Sequence, residues 1–158
     1  MNRAIFILAA TVLTAAAPSS RWTMQTKSDP ISDARSVSLT LLQKPTLLLL
    51  QCDSADTQPF SITVGKAETY LGGSPILRQT TVRFDNRPPE QQLWGYTSSF
   101  AVAQDHQREM ISAIGASKTL AIRLQDRRGT PVDLIFDLAG STPQIAKFKT
   151  ACASIGLR

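Results

Sequence analysis

Hydrophobic and polar residues alternate along much of this chain. Val37, Leu39 and Leu41 are separated by Ser38 and Thr40, the period of two expected of a strand with one buried face. The same alternation recurs in Phe60, Ile62 and Val64, in Thr80, Val82 and Phe84, in Leu120, Ile122 and Leu124, and in Val132, Leu134, Phe136 and Leu138. Thr46 to Cys52 is instead a continuous apolar run, which predicts a central strand buried on both faces. Trp22 to Met24 and Leu93 to Tyr96 complete the strand signals, and Phe100 and Val102 lead into the first helix.

Two segments change period. Met110, Ile111 and Ile114 make one helical stripe, with Asp105 as the expected N-cap and Gly115 near the end. Ile145, Phe148, Cys152 and Ile155 make another, and Thr142-Pro143 is a good start for it. Turn residues punctuate the rest: Ser28 to Asp33, Lys44-Pro45, Tyr70 to Gly73, Pro88-Pro89 and Asp126 to Gly129. The pattern predicts one α+β domain of seven or eight mostly antiparallel strands, sandwich-like, with two helices covering one face or end of the sheet. The alternative is a pure sandwich with a terminal helix.

The first residues follow a different logic. Arg3 precedes the apolar run Ala4 to Leu13, and Thr14-Ala15-Ala16-Ala17 supplies small residues for a peptidase. This is the pattern of a signal peptide, and it is short for a membrane span; a retained N-terminal anchor is the alternative. A cut near residue 19 leaves a single domain over 20–158, with no integral span after signal removal. The expected location is the periplasm, or the exterior, of a Gram-negative bacterium.

Composition refines this picture in two places. At 158 residues, with 42% hydrophobic and 18% charged, the chain fits one domain with a true core. The net charge of +5, about +4 without Arg3, is spread along the chain with no basic stripe or aromatic platform, so nucleic acid is not an expected partner. The two cysteines, Cys52 and Cys152, are most simply one disulfide in an oxidising compartment. It would pin the C-terminal helix to the sheet. A pair of buried thiols is the alternative, and without C-x-x-C a redox role is not expected.

Candidate chemistry is sparse. His106 is the single histidine, and there is no G-x-S-x-G elbow, so no catalytic residue is assigned. Neither a metal site nor a cofactor is expected: Asp53 and Asp56 lie in a polar loop without EF-hand spacing. Arg83, Asp85 and Arg87 follow a period of two and are expected to share a strand face. With Trp94 they form the candidate binding patch, with an Arg83–Asp85 pair at its centre; the alternatives are a surface charge ladder and a core tryptophan.

Several of these pieces occur in a suggestive order. Trp22, Ser28 to Asp33, Val37-Ser38-Leu39, Leu48 to Cys52 and Ser61 to Gly65 come first. Tyr70-Leu71-Gly72, Val82 to Asp85, Trp94, Phe136 to Gly140, Ile145, Phe148 and Ala151-Cys152 follow. The series resembles the type VI secretion-associated periplasmic proteins of the VasI/TagO kind along nearly the whole mature chain. The resemblance implies an exported accessory domain beside a contractile secretion apparatus or a phage-like system, and a match for the two cysteines. It implies no catalytic residue. This chain has no counterpart of the cysteine-containing segment that such proteins carry before the Trp, and its ending after Cys152 differs, which points to a stand-alone core domain. A looser likeness is to the invasion-associated locus B proteins, also small, exported and β-rich.

The expected function is therefore a non-catalytic accessory or interaction protein whose partner is an envelope or secretion-apparatus protein. The alternatives are a small-ligand carrier with an apolar pocket near Trp94 and Phe100, and an envelope hydrolase using His106.

Overall fold

The computed structural model describes residues 21–72 and 76–157. The signal segment and Gly73 of the Tyr70–Gly73 turn lie outside the described residues.

The alternating segments form β1 (Trp22–Ser28), β2 (Arg35–Gln43), β3 (Thr46–Asp53), β4 (Phe60–Lys66), β5 (Ile76–Phe84), β6 (Glu90–Tyr96), β7 (Phe100–Ala103), β8 (Thr119–Gln125) and β9 (Pro131–Asp137). Among the described residues the helices are α1 (Gln107–Ala116) and α2 (Ser141–Ser154). The fold is α+β. All nine strands join one sheet in the order β1-β2-β3-β4-β7-β6-β5-β8-β9. Every neighbouring pair is antiparallel.

The sheet has nine strands where seven or eight were expected, and it curls so that β2 and β9 meet. The extra strand is β7. Its four residues bridge the two halves of the sheet, Val102 standing opposite Thr63 on one side and Gly95 on the other. Alternation over so few residues resembles a lead-in to the helix, and only the pairing on both sides reveals a strand.

The inner face carries the core: Leu39, Leu48, Leu50, Ile62, Trp94, Ile122 and Phe136 are all buried, and both helices pack among them. Among the described residues, neither helix covers the outer face. Strand β3 consequently alternates, with Leu48, Leu50 and Cys52 buried and Leu47 and Leu49 half-exposed. The expected burial on both faces does not occur, because both helices sit on one side.

The helix starts also differ from the pattern. His106 occupies the cap position of α1 at φ 54°, with no side-chain cap bond. Asp105, the expected cap, buries its Oδ1 with no hydrogen-bond partner among the described residues. Helix α2 begins at Ser141, and the Thr142 hydroxyl donates to the Gly115 carbonyl at 2.7 Å, joining the start of α2 to the end of α1. The helices approach closely there: a Cβ on Gly115 would lie 3.0 Å from Ile145 Cγ2.

Two long-range connections hold the ends of the chain. Cys52 on β3 and Cys152 on α2 form a disulfide, with Cα atoms 6.1 Å apart and both residues buried. The helix is pinned to the sheet as expected. The second connection closes the curl of the sheet. Gln43 Nε2 donates to the Asp137 carbonyl at 2.5 Å, while Gln43 Oε1 accepts from the Asp137 N–H at 3.0 Å. The Trp22 indole N–H reaches the Ala139 carbonyl at 3.2 Å, and Arg21 pairs with the Asp137 carboxylate.

Candidate functional site

The end of β5, the turn that follows it, the start of β6 and the first turns of α1 enclose a cleft of about 630 Å³. Its floor is apolar: Val82, Phe84, Met110 and Ala113. Its rim carries Arg87, Glu90, His106 and Glu109, all exposed. Gln92 lines the same cleft and is only 5% exposed.

The local sequence explains each placement. Strand β5 ends at Phe84 because Asp85 turns out of the sheet at φ 50°, a conformation that aspartate tolerates better than most residues. Asp85 Oδ1 then accepts from the N–H of Thr119 at 2.8 Å, the N–H of Lys118 at 2.9 Å and the Thr119 hydroxyl at 3.3 Å. These bonds fasten the β5–β6 turn to the start of β8. The bond from the Thr119 N–H, against some desolvation, holds the Asp85 carboxyl below the usual carboxylate range. A second bond, from the Arg87 N–H to the Phe84 carbonyl at 3.0 Å, tightens the turn that presents Arg87 and Pro88 to the rim.

Gln92 is the unusual member. It belongs to the inward-facing series Gln92, Trp94 and Tyr96, where an apolar residue is the norm. The Trp94 indole N–H donates to Gln92 Oε1 at 3.3 Å. An indole N–H can only donate, so this contact fixes the amide with its oxygen towards Trp94. The Nε2 group has no hydrogen-bond partner among the described residues.

The patch expected from the sequence is dispersed. Arg83 is exposed on the outer face, Asp85 serves the turn, Arg87 reaches the cleft rim, and Trp94 is buried in the core. The charge pairs found among the described residues, Arg21–Asp137 and Arg123–Asp133, do not include an Arg83–Asp85 pair. Period-two spacing places side chains on one face only while the strand continues, and here it stops before Asp85. Trp94 and Phe100 fall on opposite faces: Trp94 points inward, while Phe100 lies outside, over Gly65. The two therefore do not line a common pocket. Glu90, Gln92 and Glu109 were not singled out by the sequence; the legible signal was a polar Gln92 at an inward position of β6.

His106 stands at the mouth of the cleft, and none of the residues lining it is a serine, threonine or cysteine. Asp53 and Asp56 each accept a bond within their own loop, from Ala55 N at 2.9 Å and from Gln58 N at 3.0 Å. No group of three or more His, Cys, Asp or Glu suited to a metal ion occurs among the described residues. No helix among them is long and apolar enough to cross a membrane.

Compared with protein-family models, curated proteins and solved structures, the chain gives no match.

Proposed function

We propose that the protein is an exported, non-catalytic accessory domain of the Gram-negative cell envelope that acts by binding a protein partner. The observation that carries this reading is the buried Cys52–Cys152 disulfide, since such bonds form and persist in oxidising compartments. The charged start and apolar run of residues 1–19 support export. A cleft with a mixed polar and apolar lining, and without a hydroxyl or thiol nucleophile, supports recognition over nucleophilic catalysis. The order of motifs shared with the VasI/TagO kind supports a place beside a contractile secretion apparatus.

The test is to express the full chain in a Gram-negative host, fractionate it, and alkylate under denaturing, non-reducing conditions before intact mass spectrometry. The expected product is periplasmic, begins near residue 20 and takes up no alkyl group. A cytoplasmic product with an intact leader and two alkylated thiols overturns the export reading. Affinity capture from envelope extract then tests the secretion link, which recovery of no component of that apparatus would remove.

A further inference from the structure

We propose that the cleft between β5–β6 and α1 binds an extended peptide segment, with the Gln92 carboxamide donating to a peptide carbonyl and a basic side chain of the peptide facing Glu90 and Glu109. This deepens the binding reading above and rests on it, but it does not depend on export.

The central observation is Gln92. Its Nε2 has no partner among the described residues and is not enclosed, so it is an accessible donor. Here the oxygen is held by Trp94, and the remaining NH₂ belongs to a side chain that lines the cleft. An NH₂ donor is complementary to an acceptor oxygen such as a peptide carbonyl. Beside it, Val82, Phe84, Met110 and Ala113 provide an apolar floor for a side chain. Among the described residues, Glu90 and Glu109 at the rim have no charged partner, and Arg87 is the sole fixed positive charge lining the cleft. The fixed charge of the rim is therefore net negative, and a basic group is attracted while an acidic one is repelled. The volume of about 630 Å³ is within the range of small-ligand sites. Both strands of the cleft have neighbours on either side, β5 between β6 and β8 and β6 between β7 and β5. A peptide cannot add to them as a further strand, so its recognition is by side chains.

The test uses the mature, oxidised, ¹⁵N-labelled protein and two blocked peptides, acetyl-Ala-Leu-Lys-Ala-amide and acetyl-Ala-Leu-Glu-Ala-amide. The lysine peptide is expected to move the Gln92 side-chain NH₂ and Trp94 indole N–H resonances saturably. Glu109→Gln is expected to weaken the lysine peptide by about 2–5-fold, as for an exposed ion pair, without weakening the glutamate peptide. Gln92→Met removes the donor, together with the acceptor of the Trp94 indole N–H, at similar volume and is expected to weaken both peptides by up to about 10-fold. The Trp94 resonance and a urea titration confirm that this variant is folded; Glu109, being exposed, provides an independent arm if it is not. Unmoved Gln92 and Trp94 resonances at about millimolar peptide overturn the proposal. So does equal affinity for the two peptides, or wild-type affinity in Gln92→Met. Failure here with a periplasmic, disulfide-bonded protein leaves the export reading standing.

Discussion

Replacing Cys52 and Cys152 together by alanine removes the covalent link between β3 and α2 without leaving an unpaired thiol. The cysteines are 100 residues apart in sequence, and closing a loop of that length removes about 4.7 kcal/mol of chain entropy from the unfolded state at 25 °C. Domains commonly have only about 5–15 kcal/mol in total, so the variant should lose between about a third and nearly all of its stability. With a urea dependence of about 1.5–2 kcal/mol per M for a chain of this size, the midpoint should fall by about 2.5–3 M. The assay is urea unfolding followed by tryptophan fluorescence, run on oxidised protein, on protein reduced with dithiothreitol, and on the double variant. Reduction isolates the loop contribution, because both sulfur atoms remain in the core. The reduced protein should also show a steeper urea dependence, since its unfolded chain is less compact. A midpoint shift below about 0.5 M, with an unchanged slope, would refute the reasoning. It would mean that residual structure already confines the unfolded ensemble, leaving the cross-link little to restrict.

Two further outcomes follow from local geometry. Gly65→Ala places a Cβ 2.6 Å from Phe100 Cδ1 and 3.0 Å from the Ser99 carbonyl oxygen, so it should cost about 1–3 kcal/mol in urea unfolding; Phe100→Ala in the same chain should return part of that loss, and an unaffected single variant would contradict it. Asp85 has a lowered folded-state pKa, so its contribution is present above the unfolded carboxylate value and is lost as pH falls through the lower folded value. Urea midpoints measured from about pH 5 down to about pH 2 should therefore fall, and Asp85→Asn should flatten that decline; an identical acid limb in the variant would count against the three bonds assigned to this carboxylate.

Much of the architecture was legible because burial on one face imposes a period of two. Val37, Leu39 and Leu41, or Leu134 and Phe136, declare their strands without reference to the rest of the chain. Cys52 and Cys152 each fell at inward positions of their own element, so the bridge between them required only that β3 and α2 meet. Strand β7 was obscured because its identity depends on β4 and β6, which the sequence does not place beside it. The helix starts were misplaced for a related reason. Asp105 has the chemistry of a cap, yet the chain turns at His106 and buries one Asp105 oxygen. The candidate site was the least legible part. Arg83, Asp85 and Arg87 have the spacing of a charged ladder, but the left-handed turn at Asp85 separates them. The residues that surround the cleft come from β5, β6 and α1, and only the folded sheet brings Gln92 and Glu109 to one cavity.

The clasp at the corner of the sheet bears on when this molecule can acquire its shape. Arg21 and Trp22 make their contacts with Asp137 and Ala139, more than a hundred positions later, and Cys52 waits for Cys152. A chain threaded through a translocation pore from its leading end would deliver those early segments long before their mates emerge. Closure of so long a loop is slow to nucleate, and the opening strands stay vulnerable in the interval. Under the export reading proposed above, completion would wait until almost the whole polypeptide had cleared the pore, so that folding would belong to the destination compartment and not to the journey.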